Sequence, residues 1–332
     1  MFRCLKNISN FCKQFLIMEA NMKIAIFGAG GVGGYYGGLL AQQGHAVTFV
    51  ARGAHLEALR KNGLQIKSVH GNFTIKPATA TESPAAIGPV DLVLFCIKTY
   101  DTERAAESIR PILTPETAVL SLQNGIDAAE CIGRVVGMAY MLGAATWIAS
   151  AIESPGVISQ VSAFRRIVLG ELNGKITPRA QAIYNVLNST GATVELSDQI
   201  LKVLWTKFVF IAAVSGVGAL TRLEMGEYRA IPETRGLLTG IMREVEALAR
   251  AQSVTLNGDV TEKSLAFIDA SAPSIKASMQ RDVETGHVSE LEAIIGIIGR
   301  KGRELGIPTP FSDAVYAALL PIDLKARRAA SA

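Results

Sequence analysis

Cysteine and histidine are both scarce in this sequence, with four of each among 332 residues, and aromatic side chains make up only 6%. The cysteines, Cys4, Cys12, Cys96 and Cys131, form no CxxC pair and no ladder of short spacings. That argues against a disulfide scaffold or a thiolate metal site and fits a reducing compartment. The histidines, His45, His55, His70 and His287, compose no H-E-x-x-H, and G-x-S-x-G is absent as well. No metal-ligand cluster and no nucleophile elbow is therefore expected. Neither sign of charge dominates, since 33 basic side chains face 29 acidic ones and the formal net charge of +4 is spread without a basic stripe. Nucleic acid is no expected partner, although a mild positive balance suits an anionic ligand. The longest apolar run, residues 208–220, is closed off by Lys207 and Arg222. It falls short of the roughly 20 residues that a membrane span needs, so no membrane partner is expected and the expected location is cytoplasmic.

What the chain does have is 49% hydrophobic content over a length that suits two cores better than one. Its first 21 residues are basic at Arg3, Lys6 and Lys13, with no acid before Glu19, and superficially suit a transit peptide. The regular pattern begins abruptly at Met22-Lys23, and Met18 and Met22 both offer alternative starts. Residues 1–21 are therefore read as an upstream start or a disordered leader. From Lys23 onward, short β-branched runs alternate with helical stretches, which predicts βαβ units around a mostly parallel sheet. Strands are expected at 23–27, 46–51, 90–97 and 118–122. One helix should run from a glycine-rich turn to about Gln43, and another, capped by Asp101 or Thr102, should stop before Pro111. Strand-like pieces at 157–161 and 166–169 extend the sheet, and Thr177-Pro178 opens a further helix, proline being tolerated at the first helical position. Beyond Ser197, a good N-cap, the texture is helical, with long segments near 198–220, 234–252, 260–267 and 290–305. The expected architecture is an α/β N-terminal Rossmann domain over residues 22–196, followed by an all-α C-terminal domain over 197–332.

Gly28-Ala29-Gly30-Gly31-Val32-Gly33 fits G-x-G-x-x-G and lies between an expected strand and an expected helix, the context that gives the pattern meaning. Gly28 permits the tight turn, Gly30 lets the backbone approach a pyrophosphate at the positive helix N-terminus, and Gly33 lets the helix pack closely on the strand. A glycine-rich turn that binds nothing is the competing reading. At the end of the second strand, where a protein preferring NAD usually places an acid against the ribose, this chain has Arg52 followed by Gly53. A guanidinium there suits a 2′-phosphate and makes NADPH/NADP+ the expected cofactor, against a merely solvated arginine. Lys98 and Asn124 fall at the carboxyl ends of two further expected strands, the edge where open α/β sheets bind ligands. Either could instead brace a loop.

A dinucleotide fold supplies a cofactor but not a reaction. Hydride transfer to a ketone needs a proton or a cation near the oxygen that gains charge, and a lysine can serve as both. Lys207 lies in LKVLWTKFVFIAAV, where desolvation would lower its pKa, though a boundary lysine at a helix edge fits the same spacing. Ser278 and Asp282 stand four apart and share a helix face. Glu290 opens ELEAIIGIIG, where a surface carboxylate stabilised by the helix dipole would be ordinary. Surface roles are expected for His45, His55 and His70.

Taken together, KIAIFGAGGVGGYYG, Arg52, FCIKTYDT, SLQNG, LWTKF, SMQRDVETGHVSELEAIIG and GIPTP, in this order from Met22 to about Leu320, resemble the ketopantoate reductase family (2-dehydropantoate 2-reductases). The resemblance implies NADPH-dependent reduction of 2-dehydropantoate to (R)-pantoate, on the route to pantothenate and coenzyme A. It implies that Lys207 is the general acid and that Glu290 helps position the substrate hydroxyl. It also implies that Asn124 and Ser278 contact substrate, that Asn124 lies near the nicotinamide, and that Lys98 lies beside the cofactor.

Family members typically carry asparagines four and eight residues after the lysine, whereas this stripe reads Lys207, Ile211, Ser215. The family's E-x-D-x-x-N-G likewise reads Glu290-x-Glu292-x-x-Ile295-Gly296. Loss of one matched polar contact is worth about 1–3 kcal/mol, so Ile211 and Ser215 at the substrate site bear on which acid is reduced. Two alternatives follow: a paralogue that reduces a more apolar 2-keto acid, and a nucleotide-binding regulator without catalysis. An apolar helical domain could also support a homodimer.

Overall fold

The computed structural model describes residues 21–331. The expected leader, apart from Asn21, lies outside the described residues. The chain divides into two compact units. The first comprises the described residues up to Gln123 together with Ala128–Ile200; the second comprises Asn124–Asp127 together with the chain from Leu201 onward. A single boundary at 196/197 does not anticipate this, because a four-residue segment after a central strand joins the helical unit.

The first unit carries β1 (Lys23–Phe27), α1 (Gly31–Gln42), β2 (Ala46–Val50), α2 (Gly53–Asn62), β3 (Leu64–Ser68), β4 (Phe73–Ile75), β5 (Ala80–Thr81), β6 (Leu92–Phe95), α3 (Thr102–Ile109), β7 (Ala118–Ser121), α4 (Ala128–Val136) and β8 (Met141–Trp147). Then come β9 (Ser150–Ser154), β10 (Val157–Gln160), β11 (Arg166–Gly170), α5 (Pro178–Asn188) and β12 (Thr193–Leu196). Eight strands form one sheet in the order β12-β11-β8-β7-β6-β1-β2-β5, parallel throughout except where β11 runs against β8. Alternate residues of the central strands enter different cores. Ile24 and Ile26 pack in the same cluster as Leu92 and Leu94, while Ala25 and Phe27 share the other with Val93 and Phe95. Burial on both faces explains why these strands read as continuous apolar runs rather than as alternating ones. Register then aligns their ends: Phe27 pairs with Val50 and with Phe95, and Phe95 with Ser121. Gly28, Ala51-Arg52 and Cys96 to Lys98 therefore leave the sheet along one edge.

Several details depart from the sequence pattern. The strand expected at 90–97 is confined to β6, because beyond Phe95 the chain turns into a 3-10 turn at Thr99–Asp101. The piece at 157–161 does not extend the main sheet; as β10 it pairs with β3 and β9 in a separate four-stranded sheet, β4-β3-β10-β9. Asp101 precedes α3 without a side-chain cap, and the Thr102 hydroxyl donates back to the Thr99 carbonyl. Thr177 does cap α5, its Oγ1 accepting from the Ala180 N–H, with Pro178 at the first position. Ser197 caps a turn rather than the helix, accepting from the Gln199 N–H.

The second unit is helical: α6 (Ile200–Thr221), α7 (Met225–Ala230), α8 (Pro232–Ala251), α9 (Val260–Ala270), α10 (Ser278–Glu284), α11 (Ile297–Leu305) and α12 (Pro310–Ser331). With 22 residues, α6 is long and apolar enough to cross a membrane, longer than its uninterrupted apolar run suggested. Its composition has an ordinary cause. Phe208, Val209, Ala212, Ala213, Val217 and others are buried in the core of this unit against Ile241, Val245 and Ile298. A π-helical segment at Glu292–Gly296 leads into α11, a local widening that shifts side chains relative to the α-helical stripe.

Candidate active site

The glycine turn has the geometry that its spacing predicts. Gly28 adopts φ +99°, a conformation open to glycine, and a Cβ there would lie 2.8 Å from the Ile97 side chain. At Gly33 a Cβ would come within 2.1 Å of the Gly28 carbonyl, so its absence is what lets α1 start beneath the turn. Gly30 differs from both, since a Cβ there would meet nothing within 4 Å. That open space lies at the N-cap of α1, where no side chain caps the first turn. The N–H groups at a helix start need acceptors, and an anionic oxygen supplies them. Ala29 is anchored from behind, its N–H donating to the Val50 carbonyl over 3.1 Å. Val32 packs partly buried against the core. Gly31 lies against the backbone of Ser150. Arg52, exposed at the end of β2, is the N-cap residue of α2. Lys98 is half-buried just past β6. This set fits the phosphate-bearing half of a dinucleotide.

In the second unit Lys207 stands two turns into α6. Its Nζ donates to Asn124 Oδ1 over 3.0 Å, which explains why the segment after β7 belongs with the helices. The residue is half-buried, and its ammonium is desolvated by the surrounding protein. Desolvation lowers its pKa from 10.5 to about 8, and the Glu290 carboxylate partly opposes that shift. A boundary lysine snorkelling to water would show no such environment. Glu290 is 5% exposed, so the surface-carboxylate reading of it is overturned. The dipole argument assumed a helix start in solvent, whereas this start is sealed in the core.

Sequence reasoning missed how Glu290 is held. Its carbonyl accepts from the N–H groups of Ala293 and Ile294. The preceding residue, Ser289, is fully buried and donates through both its N–H, over 2.9 Å, and its hydroxyl, over 2.7 Å, to Asp323 Oδ1 on α12. The other oxygen of Asp323 accepts from Arg327 Nε at 2.6 Å. Gln123 does a similar service before Asn124: its amide donates to the Ile97 carbonyl and to Thr102 Oγ1. Neither device has a local signature, because each partner lies far away in sequence.

The stripe after Lys207 divides. Ile211 is half-buried, whereas Ser215 is 1% exposed. Ile295 is fully buried, and a Cβ on Gly216 would lie 2.9 Å from its Cδ1, so Ser215 adjoins a packed contact. Ser278 is half-buried at the first position of α10, with Asp282 half-buried on the same helix.

Residues 24–174 match the family model described as ketopantoate reductase PanE/ApbA, and residues 199–323 match its counterpart, ketopantoate reductase PanE/ApbA C terminal. The chain belongs to the ketopantoate reductase family. Within this family of oxidoreductases, the uncharacterized oxidoreductase YkpB of Bacillus subtilis (strain 168) is 32% identical over 90% of this chain and 98% of its own. The solved 2-dehydropantoate 2-reductase of Geobacter metallireducens GS-15 is 33% identical with a TM-score of 0.84, covering 90% of this chain and 99% of its own. A D-mandelate dehydrogenase solved with NADH and anilino(oxo)acetate shares the fold at a TM-score of 0.84 and 22% identity, covering 92% of this chain and 99% of its own.

Proposed function

We propose that this protein is a 2-dehydropantoate 2-reductase that uses NADPH. The observation that carries the reading is Lys207, desolvated to a pKa of about 8, hydrogen-bonded to Asn124 and electrostatically coupled to Glu290. When bound, the dinucleotide supplies the hydride. The chain's own part is to hold its phosphates on the glycine turn and to manage the proton. As C2 of the keto acid accepts the hydride, its oxygen gains negative charge and takes the proton of the Lys207 ammonium; the lysine is reprotonated from solvent. A pKa near the working pH suits such an acid, because the group is mostly protonated yet gives its proton up readily. Asn124 fixes the direction of the ammonium, and Glu290 favours its charged form while offering a carboxylate to a substrate hydroxyl.

A second reading rests on Ile211. An apolar, half-buried side chain one turn beyond Lys207 favours a keto acid with an apolar substituent over one with a hydroxyl. NADPH oxidation with 2-dehydropantoate beside a panel of branched 2-keto acids decides between them, and higher kcat/KM for a branched acid would overturn the first. A regulator without catalysis would bind NADPH and turn over none of the panel. Pantothenate biosynthesis in the cytoplasm is the setting that the first reading entails.

A further inference from the structure

The π-helical segment Glu292–Gly296 begins two residues after Glu290, and the Ile297 N–H closes it by reaching back five residues to the Glu292 carbonyl. Such a segment adds one residue to a helical turn, so what precedes it is rotated by roughly 100° relative to an uninterrupted helix. The direction of Glu290 relative to α11, whose Ile297 and Ile298 are packed in the core, therefore depends on this widening. π geometry is rare in helices and recurs at functional sites, where surrounding groups hold it.

Three side chains do so here. The Glu292 carboxylate accepts from Arg300 Nη1 on α11 over 2.6 Å and, through its other oxygen, from the Tyr316 hydroxyl on α12. Arg300 Nη2 also donates to the Glu292 carbonyl over 3.1 Å, the oxygen that the π turn itself uses. One guanidinium is thus tied to both the side chain and the backbone of the segment's first residue. The last residue makes room for it: a Cβ on Gly296 would lie 2.7 Å from the Glu292 carboxylate, 2.9 Å from the Tyr316 ring and 3.1 Å from Arg300 Nη1. All three side chains are half-buried, a setting in which charge-assisted hydrogen bonds fix geometry well. On its other flank the segment meets the turn after Asn124, since a Cβ on Gly125 would lie 3.3 Å from the Ala293 carbonyl. The segment stands between this cluster and two members of the candidate site, Glu290 and Asn124.

We infer that Glu292, Arg300 and Tyr316 are positioning residues, which lock the π-helical segment and through it set the direction in which Glu290 meets the substrate. The inference rests on the reading of Glu290 as the carboxylate offered to a substrate hydroxyl.

Steady-state kinetics at saturating NADPH, with the keto acid that the wild type reduces at the highest kcat/KM, tests it in a double-mutant cycle with Glu290→Ala. Arg300→Met should raise KM for the keto acid about fivefold, with a smaller change in kcat and NADPH affinity within about twofold of wild type. The milder Tyr316→Phe keeps the ring against Gly296, loses one hydrogen bond and should raise KM about threefold. In the Glu290→Ala background the same two changes should alter KM by less than about twofold, because the carboxylate that they direct is gone. A cluster that only stabilised the fold would give the same fold-change in both backgrounds. That result would overturn the inference, as would KM within about twofold of wild type in both Arg300→Met and Tyr316→Phe. An unchanged KM in Glu290→Ala itself would instead overturn the role given to Glu290, and the inference with it. Turnover of no keto acid by the wild type would overturn the reductase reading.

Discussion

The two units hold their chemistry in opposite ways. In the first, the feature proposed to take the ligand is the six residues Gly28–Gly33, running from the end of β1 into the first turn of α1, and what matters is backbone: one positive φ, one open Cβ position and one close helix approach. In the second, Lys207 meets a partner 83 positions away, and the residue before Glu290 hangs from one 34 positions further on. A backbone site is encoded where it stands. A side-chain site is encoded across the fold, so each of its members can be removed with the others left in place, and this makes the contrast testable.

The largest effect should follow from Lys207→Ala. Loss of a positioned general acid is worth about 10²–10⁴ in kcat, whereas NADPH affinity, set by the other unit, should stay within about twofold of wild type. Single-turnover rates and cofactor titration measure the two separately. A parallel loss of cofactor affinity would break the division of labour. The wild-type rate should also fall as pH rises through about 8, as the ammonium is lost. Stability should move the other way. The folded state binds fewer protons than the unfolded one between a pKa of about 8 and 10.5, so stability rises across that window, by up to about 1.4 kcal/mol per pH unit. Urea unfolding at several pH values should show this slope in the wild type and a flatter one in Lys207→Met.

Next in size is Asp323→Ala. It leaves the buried N–H and hydroxyl of Ser289 without their acceptor and Arg327 without its carboxylate, which should destabilise the protein by about 2–4 kcal/mol in urea unfolding. Ser289→Ala, which removes one of these bonds, should lose about 1 kcal/mol. If Asp323 acts through Glu290, KM for the keto acid should rise in both while affinity for NADPH does not change.

These cases show why the sequence was readable in some places and not in others. The βαβ units, the glycine turn and the Thr177-Pro178 helix start follow from neighbours within a few residues, and the structure has each of them. The second sheet was not legible, because β3 and β10 pair across almost a hundred positions and their apolar residues look like any others. The burial of Glu290 was hidden for the same reason: its own helix would suit a solvent-facing carboxylate, and the groups around it, Lys207 on α6 and the Asp323 of α12 that holds Ser289, lie far off in sequence. Lys207 lay between these extremes. Its apolar setting was visible, but not the Asn124 contact that distinguishes it from a boundary lysine.

Ile211→Asn sharpens the second unit's part in choosing the substrate. It lies half-buried one turn beyond Lys207, while Ser215 is enclosed, so of these two departures from the family stripe Ile211 is the one not sealed in the core. An amide there should shift relative kcat/KM toward 2-dehydropantoate and away from branched apolar acids by about 1–3 kcal/mol. An unchanged ratio would remove Ile211 from the specificity argument.

The smallest effect should come from Arg52→Gln, and it probes the first unit where that unit depends on a side chain rather than on backbone. Arg52 is exposed at the N-cap of α2, so its attraction for a 2′-phosphate acts in high dielectric and is screened by salt. Removing it should weaken NADPH about tenfold, leave NADH almost unaffected, and reduce the salt dependence of NADPH binding. Dissociation constants for both dinucleotides at two ionic strengths measure all three. If the ratio of NADPH to NADH affinity does not move, discrimination does not come from the end of β2. The first unit would then recognise its ligand through the backbone of the glycine turn and the groups packed on it.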